Sequence, residues 1–187
     1  VKLGREEEED KRMINLIRSI SDKPIYVDAN QGWPTKEHAL EMCQWLAEQG
    51  VVLIEQPMPK HMNEEHAWLC ERVDLPIIAD EACQTYADIA KLQPYYDGIN
   101  IKLMKCGGVA EARKMIALAR ELGMQVMIGC MTETSAGISA ATTLSPLVDY
   151  ADLDGHVLLA NDPYEGIQLV DGKLTLVNKP GTGVTPL

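Results

Sequence analysis

Short apolar runs alternate with longer amphipathic segments along this chain, and each change of period marks a change of element. Residues 5–20 open with the acidic "REEEED", which suits a helix N-terminus, and then place Met13, Leu16, Ile17 and Ile20 at helical spacing. "PIYVDAN" at 24–30 reads as a strand. Residues 35–49 read as a helix, with Thr35 as its cap, Glu37 and Glu41 early, and Gly50 at its stop. The alternation then repeats through strand "VVLIEQP", a helix near 64–73, strand "PIIAD" and a helix near 85–92. It continues through strand "GINIK", helix 108–122, strand "QVMIGC", helix 135–144 and strand "YADLD". Beyond His156 the pattern changes to a hairpin, "GIQLV" and "KLTLV" about an Asp171-Gly172 turn, and then to the loop-rich "NKPGTGVTP".

Strands alternating with helices predict βαβ units and a parallel sheet. The polar residues that end the strands are Lys2, Asp28, Glu55, Asp80, Lys102, Cys130 and Asp152, in steps of 22 to 28 residues. One strand, one helix and two short loops need about that length, so the repeat is one of architecture. Parity adds a direction. Val27, Ile54, Ala79, Ile101 and Leu153 lie one position out of phase with the polar residues and face the helices, so Asp28, Glu55, Asp80, Lys102 and Asp152 share the other face. In a (β/α)8 barrel that face is the interior, and the strand C-termini form the active-site mouth. An open doubly wound sheet gathers ligands from only a few strands at a switch point. The expected fold is therefore α/β, an incomplete TIM-type (β/α)8 barrel over residues 1–155, with the hairpin and tail of 156–187 packing on it or on a capping domain. Because the chain starts at "VKLG", already strand-like and without Met, its beginning is expected to lie upstream.

Composition narrows the setting. Of 187 residues, 46% are hydrophobic and 24% charged, ordinary values for a chain able to bury one sizeable core. A formal net charge of −11 argues against nucleic acid or an anionic membrane surface as the partner. A small anionic substrate stays open, because a bound metal reverses the local sign. Cys43, Cys70, Cys83, Cys106 and Cys130 show no CxxC spacing and an odd total, as expected of reduced thiols in a cytoplasmic protein rather than of a disulfide or zinc framework. No apolar run reaches membrane-spanning length.

Three carboxylates, Asp28, Glu55 and Asp80, end consecutive strands. Crowded carboxylates raise one another's pKa unless a cation offsets them, and hard oxygen donors without His or Cys favour Mg²⁺, with Mn²⁺ as the alternative. Taken singly, each acid could equally cap the next helix or pair with a lysine; three in phase point to metal. Lys2 and Lys102 flank them in sequence and could address opposite faces of one bound molecule, since a lysine beside a divalent cation has a lowered pKa and can act as a base. A salt bridge from Lys102 to Asp80 or Glu81 is the lesser alternative, whereas Lys105 falls in the following loop, where pairing or solvation suffices. "DLD" offers Asp152 and Asp154 at i, i+2, able to receive an ammonium or, equally, to cap the turn at Gly155. "GCMTETSAG" can donate backbone N–H groups to a substrate, or serve as a helix cap through Thr132 or Thr134. His61 and His66, five apart, read as surface residues, and Gly107-Gly108 as a tight turn.

"VKLG", "VDANQGW", "LIEQP", "IADE" and "INIKLMKCGG", in that order over nearly the whole chain, resemble the muconate-lactonizing-enzyme subgroup of the enolase superfamily. "DLD" is similar to the Asp-x-Asp of that subgroup's dipeptide epimerases, of the Ala-Glu type. The resemblance implies Mg²⁺ ligands at Asp28, Glu55 and Asp80, with Lys2 as the second lysine of a Lys-x-Lys and Lys102 as the sixth-strand lysine. It implies that Asp152 and Asp154 hold a dipeptide's α-ammonium while Cys130, Met131 and Thr132 contact its backbone. The strands present would be the second to the eighth. The capping domain, the first strand and the first lysine of Lys-x-Lys would lie outside this chain, in a region needed to complete the barrel. The implied activity is Mg²⁺-dependent epimerisation of a dipeptide such as L-Ala-D/L-Glu, by 1,1-proton transfer at the carbon α to the carboxylate through an enediolate. Rival readings are an o-succinylbenzoate synthase or muconate cycloisomerase reaction, a Schiff-base lysine aldolase, and a structural fragment without chemistry. The dipeptide, its steric series and any homo-oligomer stay open.

Overall fold

A computed structural model describes residues 1–187. In chain order the elements are α1 (Glu7–Ile20), β1 (Ile25–Asp28), α2 (Lys36–Glu48), β2 (Val51–Glu55), α3 (Asn63–Cys70), β3 (Ile77–Ala79), α4 (Tyr86–Leu92) and β4 (Gly98–Lys102). Then come α5 (Leu103–Cys106), α6 (Val109–Glu121), β5 (Gln125–Gly129), α7 (Ser135–Thr142) and β6 (Tyr150–Ala151). The last strands are β7 (Tyr164–Glu165), β8 (Gln168–Val170), β9 (Lys173–Thr175) and β10 (Thr185–Pro186). β1 to β6 are hydrogen-bonded neighbours in chain order, and β1–β2, β2–β3, β3–β4 and β5–β6 pair in parallel. A helix crossing between each pair of adjacent parallel strands defines an incomplete (β/α)8 barrel. An isolated bridge from Lys2 to Asp28 begins a further strand beside β1. No helix is long and apolar enough to cross a membrane.

Two compact units share the chain: residues 1–83 with 87–99, and residues 84–86 with 100–187, so that β4 belongs to both. In the first unit the strands are apolar on both faces. Val27, Leu53, Ile54, Ile77, Ile78 and Ala79 are fully buried, and Ala39, Met42, Leu46, Leu69 and Ile89 of α2 to α4 are buried with them. Thr35 caps α2 as expected, its Oγ1 accepting from the His38 N–H at 3.2 Å, and Gly50 leaves the helix at φ +73°. Arg18 donates to the carbonyls of Gln49 and Gly50, acceptors that the end of α2 leaves over, and to the Lys23 carbonyl before β1.

One helix in this unit buries a face other than its apolar stripe, and one expectation fails. α1 forms, but Met13, Leu16 and Ile20 of its apolar stripe are exposed, while Ile14 and Asp10 are buried. His66 is no surface residue. It is fully buried, its Nδ1 donates to the Met62 carbonyl at 2.7 Å, and its ring lies 4.5 Å from that of Tyr96.

In the second unit the apolar faces of α6 (Ala112, Met115, Ile116, Ala119) and β5 (Val126, Met127, Ile128) are buried. The predicted hairpin is β8–β9, with Asp171 at φ +49° and Gly172 at φ +74°, the left-handed pair that a two-residue turn of this hand requires. β7 pairs antiparallel with β10, and Ser139 of α7 donates to the Thr182 carbonyl, tying the tail to that helix. All five cysteines are free thiols.

Burial lowers the His66 pKa from 6.5 to about 4. A depressed histidine pKa means that the unfolded chain binds the extra proton first, so its contribution is complete above pH 6.5 and is lost as pH falls towards 4. Lowering the pH from 7.5 to 4.5 is therefore expected to cost the wild type on the order of 2 to 3 kcal/mol more than a His66→Phe variant, measured by denaturant unfolding at both pH values. Equal losses in the two proteins would contradict this assignment.

Candidate active site

The register of the first unit brings the strand ends level. Lys2 bridges to Asp28, Asp28 pairs with Glu55, and Glu55 pairs with Ile78, two residues before Asp80. Level residues on parallel strands point to the same side, and every second residue returns to it, so these four side chains share one face. Asp28, Glu55 and Asp80 are 8%, 5% and 4% exposed, and one oxygen from each lies within 4.8 Å of the others. At about 4 Å, two such charges repel by roughly 1 kcal/mol in water and about 4 kcal/mol in surroundings of effective dielectric 20. An all-oxygen set of three anions suits a hard divalent cation such as Mg²⁺, which takes few carboxylates and keeps other positions for water or substrate oxygens. The three residues expected to hold a metal are thus brought together, and their chemistry fits one.

The loops beyond the strands are laced to one another. Ala29 N–H donates to the Glu55 carbonyl at 3.0 Å, Gln31 N–H to Gln56 at 2.8 Å, and Trp33 N–H to Pro57 at 3.0 Å. Asp28 accepts from the Asn30 backbone (2.8 Å), the Asn30 amide (2.9 Å) and Lys2 Nζ (2.5 Å). The Lys2 side chain is 71% exposed, so this pair adds little to stability but holds the ammonium beside the carboxylate. "VKLG" and "NQG" need their glycines for close approach: a Cβ on Gly32 would stand 2.0 Å from the Gly4 carbonyl oxygen, and one on Gly4 2.1 Å from that of Ala29. Asp10 is buried because its carboxylate accepts from the Gly4 N–H at 2.7 Å, fixing the turn that follows Lys2.

In the second unit, Asn100 and Lys102 alternate onto one face of β4, and both are buried. A Cβ on Gly129 would meet the Asn100 amide at 2.7 Å, so Gly129 presents the same face. The β5–β6 register carries that face to Asp152, whose N–H donates to the Ile128 carbonyl at 2.9 Å. β6 ends at Ala151, so "DLD" lies just past the strand: Asp152 and Asp154 are exposed and Leu153 is buried. Asp154 precedes a 3-10 turn without capping it through its side chain. A Cβ on Gly155 would stand 2.1 Å from the Met131 carbonyl oxygen and 3.0 Å from Cys130 Sγ, so "DLDG" packs directly against the 130–131 loop. Met131 and Thr132 are exposed there, and the Met131 N–H donates to Glu133 at 3.0 Å. Burial pushes the Cys130 thiol up to about 11, with Asp152, Asp154 and Glu133 adding to the rise.

Two local expectations are corrected. Neither Thr132 nor Thr134 supplies a side-chain cap to α7; the first N–H, of Ser135, donates instead to Asp162 at 2.6 Å. Lys105 is not in a loop but on the one-turn helix α5, with Nζ 3.2 Å from the Asn100 carbonyl that accepts from it. Sequence reasoning also passed over the buried polar residues Gln56 and Asp10, whose partners lie in other segments, and Glu133, which accepts from Met131 within its own loop; none leaves a periodic trace.

Carboxylates clustered at the C-terminal ends of parallel strands define a (β/α) barrel with a candidate metal site at its strand ends. The chain belongs to the Enolase C-terminal domain-like family, whose model matches residues 1–187. Among curated relatives, it is 55% identical over 184 residues to an L-Ala-D/L-Glu epimerase of Bacteroides thetaiotaomicron, covering 98% of this chain and 48% of that protein. It superposes with TM-score 0.90 at 30% identity on a substrate-liganded L-Ala-D/L-Glu epimerase from Bacillus subtilis, covering 99% of this chain and 55% of that one. A dipeptide epimerase from Enterococcus faecalis, complexed with Mg and L-Leu-L-Tyr, gives TM-score 0.90 at 36% identity over 98% and 55% of the two chains. The chain thus spans about half the length of the relatives it matches.

Mg²⁺ at about a hundred times its Kd is expected to stabilise the full-length protein by about 2.7 kcal/mol. Asp28→Asn, Glu55→Gln and Asp80→Asn should each abolish that gain, read as the difference in melting temperature between Mg²⁺ and EDTA. A full Mg²⁺-dependent rise in all three variants would show that the ion binds elsewhere.

Proposed function

We propose that the protein carrying this chain is a Mg²⁺-dependent dipeptide epimerase acting by 1,1-proton transfer at the carbon α to a carboxylate. The observation that carries this reading is the convergence of Asp28, Glu55 and Asp80 within 4.8 Å, in a chain 55% identical to an L-Ala-D/L-Glu epimerase. Those three residues hold the ion. Mg²⁺, when bound, supplies a Lewis acid that lowers the cost of enediolate charge on the substrate carboxylate and so acidifies the adjacent C–H. Lys102 removes or returns the proton on one face of that carbon, and Lys2, kept close by Asp28, serves the other. Which lysine starts depends on the stereoisomer that enters.

Asp152 and Asp154 receive the dipeptide's α-ammonium: they are exposed, negatively charged and backed by the buried Leu153. The packing of Gly155 on the 130–131 loop supports a shared role for Cys130, Met131 and Thr132 along the dipeptide backbone. The superfamily's elimination and lactonising substrates carry no ammonium and leave "DLD" without a task. Five free thiols favour a reducing compartment such as the cytoplasm.

In deuterated water, Lys102→Ala in the full-length protein is expected to lower epimerisation at least about a hundredfold. Exchange of the α-proton for deuterium should persist on one stereoisomer only, through Lys2, and NMR of each dipeptide isomer separates the two. Undiminished turnover in Lys102→Ala would overturn the assignment.

A further inference from the structure

We propose that Gln56 is the positioning residue that sets the spacing of the three carboxylates, an inference that rests on reading them as a metal site. Gln56 directly follows Glu55 and is fully buried. Its side-chain Oε1 accepts from the N–H groups of Asp80 (3.0 Å) and Ala82 (3.1 Å), and its Nε2 donates to the Met58 carbonyl (3.2 Å) and to Tyr96 Oη (2.9 Å). These four bonds are the full complement of a primary amide. They also fix its orientation, because the Met58 carbonyl can only accept and the two N–H groups can only donate.

The main chain of Gln56 extends the link. Its N–H donates to the Ile78 carbonyl at 2.9 Å, and its own carbonyl accepts from Gln31, three residues after Asp28. One residue therefore touches all three ligand-bearing segments: Glu55 through the peptide bond, Asp80 through its amide, and the Asp28 loop through its carbonyl. Gln56 does so at φ +37°, a conformation that side-chain-bearing residues rarely adopt and that persists where the surroundings over-determine it. A glutamine needed only to fill the core could be replaced by an apolar residue of the same length without effect on an ion. A strut between ligands could not.

The test compares Mg²⁺ affinity, by calorimetric titration of metal-free full-length protein with Mg²⁺ alone, in wild type, Gln56→Met, Tyr96→Phe and Thr35→Ala. Gln56→Met keeps the length and removes all four bonds, and its Mg²⁺ Kd should rise about 10- to 100-fold. Tyr96→Phe removes only the far anchor of the amide, stays closest to the native core, and should raise Kd about twofold or more. Thr35→Ala removes a helix cap, lowering the melting temperature with Kd unchanged, which isolates a loss of stability from a loss of ligand geometry. Wild-type Mg²⁺ binding with unchanged Kd in Tyr96→Phe and in any folded Gln56→Met overturns the strut alone. A wild type that binds no Mg²⁺ overturns the metal reading and this proposal together.

Discussion

Mutual repulsion of three buried carboxylates is the constraint around which the first unit is built. Asp28, Glu55 and Asp80 lie within 4.8 Å of one another, and carboxylates this close repel unless a cation or hydrogen-bond donors offset them. The parallel register sets the approach. The rungs from Ala29, Gln31 and Trp33 to the β2 end keep the loops from relaxing it. Lys2 and Asn30 compensate Asp28 from the exposed side. A site assembled this way is preorganised: the electrostatic cost is met on folding, and a cation that enters finds its donors already in place.

The same division of labour separates ion from substrate. The proposed ion ligands stand on buried strand ends whose positions follow from hydrogen-bond register, with little freedom to vary. The residues proposed to meet the dipeptide, Met131, Thr132, Asp152 and Asp154, are exposed on short segments past β5 and β6. Gly155 seats one of these segments against the other. Loops of this kind can change side chains without disturbing the sheet, which would let the proposed proton-transfer chemistry serve different dipeptides.

Much of this was legible in the linear pattern because strand ends recur. A step of 22 to 28 residues and a two-residue parity place Asp28, Glu55, Asp80, Lys102 and Asp152 at strand ends from the sequence alone. The failures have a common physical cause. Helical spacing shows that Met13, Leu16 and Ile20 share a side of α1, but not what covers that side, and here it is Ile14 and Asp10 that face inward. Asp10 is buried for the sake of the Gly4 N–H and His66 through its contacts with Met62 and Tyr96; each depends on a particular partner rather than on a period. Gln56 is the extreme case. "EQP" marks a strand ending, while the partners of its amide lie at 58, 80, 82 and 96.

Backbone strain follows the same map. Only four residues other than glycine have positive φ: Asn30, Gln31, Gln56 and Asp171. Asp171 is accounted for by its hairpin turn with Gly172. The other three lie within three residues of Asp28 or Glu55, where the chain must deliver a carboxylate to one face and at once turn away toward the next helix. Asn30 occupies the left-handed region while its backbone and amide both donate to Asp28, so the tight turn and the ligand's hydrogen bonds are one structure. Gln31 and Gln56 lie at the two ends of a single rung, each bent so that the other's partner atom is within reach. Relaxing either backbone would break this rung, one of three that lace the loops beyond β1 and β2 beside the direct pairing of Asp28 with Glu55. Strain and repulsion therefore have to be held by the same hydrogen bonds, and these are the bonds on which a metal site at this position depends.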